Sequence, residues 1–167
     1  MKKYCLDTSG LSNPIQSLPE DIHVSLWSQV CDKIKQGVFA ATTEIYDELV
    51  RIPGSVGQCL KDHLTEIRLE VGAGEWNYNS YISHFKTLHP KYQKFIAGTG
   101  GSKASLSMPD FSIVILGKAL ALPVISMELP CAQNLHTKSC KIPDVCSAEG
   151  VLHMTFNEFL RAEGIKT

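Results

Sequence analysis

Short apolar runs alternate along the chain with segments in which apolar residues recur at helical spacing. The short runs lie at residues 3–6, 38–41, 124–126 and 151–155, and their length and flanking polar residues predict buried strands. Residues 8–10 have the residue types of a turn or a helix cap and are expected to end the first strand. Residues 68–75 are expected to form a turn or a short extended piece. The predicted helices, in chain order, cover residues 19–36, 43–52, 56–67, 78–88, 109–121, 144–149 and 156–163.

This alternation of strand and helix predicts a parallel sheet with helices on both of its faces. The chain shows no internal repeat and no linker long enough to separate two domains. We therefore predict a single α/β domain over residues 1–167.

The composition is that of an ordinary globular domain, with 167 residues, of which 44% are hydrophobic and 20% charged. The longest apolar stretch, residues 111–125, is interrupted by Gly117, Lys118 and Pro123, so no transmembrane helix is expected. The basic first residues lack the apolar core of a signal peptide. The expectation is a cytoplasmic protein that does not interact with a membrane.

Six cysteines in a chain of this kind are expected to be reduced thiols. Cys5, Cys31 and Cys59 lie in apolar segments and are predicted core residues. A zinc site remains open for four further residues, whose spacing lacks the paired C-x2-C of common structural sites. They are Cys131, His136, Cys140 and Cys146.

The net charge of −1 indicates no class of partner, but the charges are segregated. Residues 76–109 contain no acid, whereas residues 1–75 hold eleven acids against seven basic residues. The basic segment could contact RNA phosphates or could be a solvated helix face. Its lysines are Lys86, Lys91, Lys94 and Lys103.

Acidic side chains follow several of the predicted strands. Asp7 ends the first strand, Asp110 opens the most apolar helix, and Glu128 follows the strand at 124–126. The helix after the second strand adds Glu44, Asp47 and Glu48, of which one would suffice. Because the carboxyl ends of parallel strands share one edge, these acids are expected to converge there, which is the arrangement that Mg²⁺ or Mn²⁺ requires.

Several of these segments resemble the motifs of PIN-domain nucleases, in the same order along the chain. An Asp followed by Thr and Ser ends the first strand, an acid before Leu follows the second, and an Asp opens a helix of small and apolar residues. The matching segments are residues 4–11 (YCLDTSGL), 43–49 (TEIYDEL), 109–114 (PDFSIV) and 124–128 (VISME), with residues 141–146 and 151–160 resembling the tail of a compact prokaryotic subgroup.

The resemblance implies a three-layer α/β/α sandwich and a metal-dependent ribonuclease that uses Mg²⁺ or Mn²⁺. It further implies the toxin of a toxin–antitoxin pair, with RNA as substrate and a cognate antitoxin as partner, while a homodimer stays open. The metal-binding acids it implies are Asp7, Glu48, Asp110 and Glu128, supported by Ser9, Glu44, Ser126 and Asp144.

The sequence departs from the family pattern in two places. The fourth motif has Ser126 and Glu128 where the family usually has Thr-x-Asp, and residues 76–105 form an insertion relative to minimal members. Two other functions remain open. One is a non-catalytic PIN-like module that binds RNA or protein; the other is a phosphatase with Asp7 as nucleophile, although such enzymes typically have Asp two residues later, where this chain has Ser9.

Overall fold

The computed structural model describes residues 1–97, 105–131 and 139–166. The strands form one sheet and are β1 (Tyr4–Leu6), β2 (Phe39–Thr42), β3 (Arg68–Leu69), β4 (Val124–Ile125) and β5 (His153–Met154). The helices are α1 (Ser9–Ser17), α2 (Val24–Lys35), α3 (Thr43–Leu49), α4 (Gly54–Asp62), α5 (Leu64–Ile67), α6 (Tyr78–Tyr92), α7 (Met108–Leu120), α8 (Ile142–Glu149) and α9 (Phe156–Ala162), and a 3₁₀ turn (Gln93–Phe95) follows α6.

The five strands are all parallel, in the order β3-β2-β1-β4-β5. β1 lies at the centre, where Cys5 pairs with Ala40 of β2 and with Val124 of β4. Each strand is only two to four residues long and is buried or half-buried. The predicted parallel sheet is confirmed.

Helices cover both faces of this sheet because successive strand side chains point to opposite sides. Tyr4 and Phe39 meet Phe159 of α9, with 5.3 Å between ring centroids in each pair. On the other face α7 packs across β1, β2 and β4, and α3, α6 and α8 pack against α7. The predicted three-layer α/β/α sandwich is thus confirmed.

The segment at residues 8–10 ends the first strand as expected, but it starts a helix rather than forming a turn: α1 begins at Ser9. Its residue types serve equally in turns and at helix N-termini. Here the Ser9 backbone N–H donates to the Asp7 carboxylate at 3.0 Å, and buried Leu11 anchors the helix in the core. The helix even includes Pro14.

The helix predicted from Pro19 begins later, at Val24, and residues 19–22 form a turn. As a result Ile22, predicted to lie on the apolar face of that helix, is 71% exposed. Glu20 caps another helix instead: its carboxylate accepts the N–H groups of Ser55 and Val56 at the start of α4. Glu20 is separated from Ser55 and Val56 by 35 and 36 positions in the sequence, so local patterns do not reveal this interaction.

Two further helix boundaries differ from the prediction. The helix predicted over residues 56–67 divides into α4 and α5 at His63. By contrast, α6 continues through Pro90 to Tyr92. Phe85 and Tyr92 both pack on Phe111 of α7, at 5.6 and 5.9 Å between ring centroids, and this packing outweighs the cost of proline within a helix.

Most of residues 76–105 belongs to the packed structure, since α6 lies against α7. The glycine-rich run at residues 98–102 (GTGGS), whose composition is typical of a flexible loop, lies outside the described residues. Cys5, Cys31 and Cys59 are buried, as predicted. Across residues 1–97, 105–131 and 139–166, no helix combines the length and apolar character needed to cross a bilayer.

Candidate functional site

The carboxyl edge of the sheet has a switch point between β1 and β4. After β1 the chain adds β2 and β3 on one side, and after β3 it crosses to add β4 and β5 on the other side. The connections that leave β1 and β4 therefore diverge and leave a crevice between them. Open α/β sheets bind their ligands in this crevice.

Asp7 is the first residue after β1, and it is only 3% exposed. Its Oδ2 atom accepts the Ser9 backbone N–H at 3.0 Å and the Ser9 hydroxyl at 2.5 Å. Burial is the main cause that raises the pKa of Asp7 to about 6, and the negative charges of Asp110 and Glu128 contribute, while the bonds from Ser9 oppose the rise. Asp110 and Glu128 therefore both lie within electrostatic reach of Asp7.

Ser9 connects the two strands that flank the switch point. Its hydroxyl donates to Asp7 and accepts the N–H of Met127, just after β4, at 3.0 Å. Gly10 allows this approach, because a Cβ atom there would lie 2.9 Å from the carbonyl oxygen of Ile125. Ser9, predicted as a supporting residue, thus fixes both the Asp7 carboxylate and the start of the loop after β4.

Asp110 lies in the first turn of α7, where a capping box holds it. Its Oδ2 atom accepts the N–H of Ser107 at 2.8 Å, and the Ser107 hydroxyl accepts the N–H of Asp110 at 3.0 Å. This reciprocal pair satisfies two of the backbone donors that a helix start leaves unpaired. Ser107 is a positioning residue that the sequence analysis missed, although the Ser-x-x-Asp spacing was a readable signal.

Of the three acids in α3, Glu48 is the one tied to the segment after β1. The Thr8 hydroxyl donates to Glu48 Oε2 at 2.7 Å. Glu44, one turn earlier, lies beside Tyr81, whose pKa is raised to about 12 mainly by burial and further by Glu44. Asp47 is exposed. Glu48 and Glu44 therefore serve different parts of the carboxyl edge.

The Glu128 side chain contacts the start of α8, and its charge also acts on Asp7. It accepts the N–H of Ile142 at 2.9 Å, and its other oxygen lies 3.4 Å from Lys141 Nζ. Asp144, predicted as a supporting residue, accepts the Lys141 N–H at 2.8 Å and so caps the same helix. The two acids stabilise the start of α8 and the loop that leads to it.

Ser126 is completely buried and lies 2.8 Å from Nε2 of His153 in the neighbouring strand β5. The Ser126 hydroxyl also accepts the N–H of Glu128 at 3.4 Å. Burial lowers the pKa of His153, an effect that Glu158 opposes. Because no substrate reaches a fully buried hydroxyl, we interpret the Ser126–His153 pair as support for the loop that carries Glu128. The sequence analysis missed His153, because no local pattern reveals its register on β5.

The donor chemistry of this edge suits a hard divalent cation, since all four predicted ligands are carboxylates. In the arrangement of the described side chains, however, no three His, Cys, Asp or Glu residues are grouped closely enough to hold an ion. Glu48 is bonded to Thr8, and Glu128 to Lys141 and Ile142. These carboxylates fit the cation chemically, and binding requires them to turn from their present partners.

The predicted RNA-binding lysines differ in their surroundings. Lys91 Nζ lies 2.6 Å from Glu149 Oε1, and Lys118 near the end of α7 donates to the Glu149 carbonyl. Lys118 is eight residues after Asp110, about 12 Å along the helix axis, so Lys91 is held at the far end of α7 from the acids. Lys94 lies over the ring of Phe95, 4.8 Å from its centroid. Lys86 stays a predicted RNA-binding residue, and Lys103 lies outside the described residues.

The four residues considered for zinc are only partly described, because His136 lies outside the described residues. Cys146 is fully buried in α8, and burial raises its pKa to about 12. Cys131 donates its thiol to the Ser139 hydroxyl at 3.3 Å. The zinc site therefore stays an open prediction.

The fold and the crevice define an α/β/α protein with a carboxylate-lined edge at the switch point of a parallel sheet. The family model described as "Domain of unknown function (DUF4411)" matches residues 4–167, and the chain belongs to this family. A comparison with curated proteins gave no match. The family description names no activity, so the function has to be argued from the site.

Proposed function

We propose that the protein is a PIN-like, metal-dependent ribonuclease that hydrolyses RNA phosphodiester bonds with Mg²⁺ or Mn²⁺. The observation that carries the proposal is the environment of Asp7 at the switch point. This carboxyl is 3% exposed, and burial together with Asp110 and Glu128 raises its pKa to about 6. A buried carboxylate beside other acids is unfavourable by itself, and the group becomes favourable when it binds a cation.

The residues that would hold the ions are Asp7, Asp110, Glu48 and Glu128. When bound, a divalent cation supplies positive charge to the scissile phosphate and lowers the pKa of an attacking water. The protein itself would contribute the position of each ligand. No covalent nucleophile is needed for this hydrolysis.

Three hydroxyl-bearing residues, Ser9, Ser107 and Thr8, contact three of these proposed ligands. Ser9 holds the Asp7 carboxylate through two hydrogen bonds, Ser107 holds Asp110 in its capping box, and Thr8 donates to Glu48. Each hydroxyl lies within three residues of a proposed ligand or bonds to it directly. The carboxylates of Asp7 and Asp110 are therefore oriented by neutral donors, whereas Glu48 and Glu128 would have to turn away from Thr8 and Lys141 to reach an ion.

The test is cleavage of single-stranded RNA with Mn²⁺ or Mg²⁺ by the wild type and by Asp110→Asn. The cleavage rate of the variant should be at least about a hundredfold lower, as expected when a metal ligand is altered. It should keep its melting temperature within a few degrees, because the Asn side-chain oxygen can still accept the N–H of Ser107. Asp47→Asn, the same chemical change at an exposed acid of α3, is the matched control and should retain full activity.

Full activity of Asp110→Asn would contradict the assignment of the site. Absence of cleavage by the wild type, with a melting temperature that the metal does not change, would favour the alternative of a non-catalytic binding module. Addition of EDTA to the active wild type should stop cleavage, and excess Mn²⁺ should restore it. Cleavage that persists in EDTA would exclude a metal-dependent reaction.

As part of the same proposal, the protein acts in the cytoplasm as the toxin of a toxin–antitoxin pair. The support is the resemblance of its motifs to toxin-type PIN proteins. Induced expression in a bacterial host should slow growth for the wild type and not for Asp110→Asn. Equal growth of both strains at equal protein levels would contradict the toxin assignment.

A further inference from the structure

A cavity of about 280 Å³ lies beside the acids, at the carboxyl ends of β2 and β3. Its lining combines two aromatic rings, two carboxylates and two threonines with aliphatic side chains. The lining residues are Thr42, Thr43, Glu44, Leu69, Glu70, Val71, Trp76 and Tyr81. Neither the sequence analysis nor the proposed metal chemistry gives this cavity a role.

Short connections link the cavity to the acid site. The Thr42 side chain lies 2.9 Å from the Ser112 hydroxyl in the first turns of α7, two residues after Asp110. Glu44 precedes Glu48 by one turn of α3, about 6 Å along the helix axis. A nucleotide whose phosphate lies at the acids could therefore place a neighbouring base in the cavity.

The aromatic residues form a corner that suits a flat ring. The rings of Trp76 and Tyr81 lie 6.0 Å apart between centroids, at an interplanar angle of 68°. The Trp76 indole N–H donates to the Glu70 carbonyl at 2.9 Å, which fixes the ring. Stacking on such rings is a principal way in which proteins bind the bases of single-stranded RNA.

The charge of the cavity excludes a phosphate as its occupant. Glu44 and Glu70 both line it, and Arg68 lies 3.6 Å from Glu70. A group of two carboxylates repels an anion and favours a ligand that presents N–H donors. Because Glu70 already pairs with Arg68, Glu44 is the carboxylate best placed to select the ligand.

We propose that this cavity binds a guanine base of the RNA substrate, stacked on Trp76 with its edge against Tyr81 and recognised by Glu44. Guanine has two adjacent donors, N1–H and the N2 amino group, which match the two oxygens of a carboxylate. Adenine and cytosine place a ring-nitrogen acceptor beside their amino group, and uracil flanks its one N–H with carbonyls. This inference rests on the proposed function, since it names a base of the substrate of that site.

Nucleoside titration followed by NMR tests the cavity without metal or cleavage. The chain has two tryptophans, so a ¹⁵N-labelled sample gives two indole N–H signals, which Trp76→Phe assigns. Trp27 is an internal reference, because it is 1% exposed and donates to the Leu18 carbonyl. Uncharged nucleosides avoid repulsion between the RNA backbone and the acids.

Guanosine should shift the Trp76 signal and leave the Trp27 signal unchanged. Inosine, which lacks the N2 amino group, should bind about fivefold more weakly, the effect of one hydrogen bond at a partly exposed site. Glu44→Gln should weaken guanosine to the level of inosine, while Asp47→Asn, its neighbour on α3, should bind guanosine like the wild type.

An unchanged Trp76 signal with guanosine would overturn the inference, and so would equal affinity for all nucleosides. Retained preference for guanosine in Glu44→Gln would overturn the role of Glu44. RNA cleavage without guanosine binding would reject the cavity and leave the ribonuclease intact. Guanosine binding by a protein that cleaves no RNA would reject the ribonuclease and leave a guanine-binding cavity.

Discussion

Replacing Asp7 by Asn should make the folded protein more stable at neutral pH, although it removes a proposed metal ligand. Burial and the charges of Asp110 and Glu128 raise the pKa of Asp7 from 3.8 to about 6. At pH 7 the wild type must therefore keep an ionised carboxylate where the neutral form is preferred. Asn has the same shape, carries no charge, and offers an oxygen to the two donors of Ser9.

The expected gain follows from the difference between the folded and unfolded pKa of Asp7. About two pH units at about 1.4 kcal/mol each give about 3 kcal/mol in the free energy of unfolding. For a chain of 167 residues this corresponds to a rise in melting temperature of roughly 6–12 °C. Most single substitutions destabilise a protein, so a gain of this size would identify the charge cluster as its cause.

The pH dependence gives a sharper test than the magnitude. Because the folded-state pKa lies above the unfolded value, the penalty is complete above about pH 6 and disappears as the pH falls through 3.8. The difference in melting temperature between Asp7→Asn and the wild type should therefore be constant at neutral pH and shrink in acid. This difference in melting temperature does not depend on groups that titrate equally in both proteins.

Mn²⁺ should remove most of this difference in stability. At about a hundredfold excess over the dissociation constant, the wild type should gain roughly 2.7 kcal/mol, whereas Asp7→Asn should gain far less. Asp47→Asn, which removes an exposed carboxylate, should change stability by less than about 0.5 kcal/mol and respond to Mn²⁺ like the wild type. Destabilisation by Asp7→Asn at pH 7, or an equal response of both proteins to Mn²⁺, would refute the reasoning.

Two further predictions concern other charged groups. In an Asp110→Asn background, Lys94→Ala should reduce the slope of log binding constant against log salt concentration by roughly 0.7. Lys91→Ala should leave this slope unchanged, because Glu149 holds Lys91 far from the acids. Equal slopes for Lys94→Ala and its parent would show that Lys94 does not contact the RNA. Although burial opposes it, bonds from neighbouring Lys and Tyr side chains lower the pKa of Glu163 to about 2. Glu163→Gln should cost about 1–2 kcal/mol at pH 7 and progressively less as the pH falls from 4.5 towards 2, and unchanged denaturant midpoints would contradict this.

The fold class could be read from the sequence because it depends on a pattern that repeats along the whole chain. Four of the five strands lie in the short apolar runs predicted as strands, and β3 lies in the segment expected to be a turn or a short extended piece. Errors at single boundaries, such as the late start of α2 at Val24, do not alter the alternation of strand and helix. The parallel sheet therefore follows from many weak signals that agree.

Errors arose where a distant partner decides the local structure. Glu20 lies near the start of the predicted helix 19–36, yet in the structure it caps α4, because the fold brings Ser55 next to it. Pro90 seemed to end α6, but the packing of Tyr92 on Phe111 carries the helix past it. In both cases the local preference was small compared with the contact that replaced it.

The candidate site shows the same division between local and distant information. The positions of Asp7 and Asp110 at element ends were readable, because each end is marked by residues next to it in sequence. The partner of Ser126 was not readable, because pairing of His153 with it depends on the register between two strands of two residues each. The corner of Trp76 and Tyr81 likewise requires knowledge of how the segment between β3 and α6 folds.

Four consecutive residues after β1 explain why this region is both hard to predict and suited to a site. Asp7 faces the start of α7, Thr8 donates to Glu48 of α3, Ser9 accepts a backbone N–H just after β4, and Gly10 packs against β4 itself. A turn and a helix start were both compatible with these small polar residues, and the choice between them depended on segments up to 118 residues away. This short segment therefore reaches α3, the start of α7 and the loop that carries Glu128. A change at Ser9 should disturb the whole acid group rather than one member. The position of the site is therefore a consequence of the strand order, which brings these segments to the same edge of the sheet.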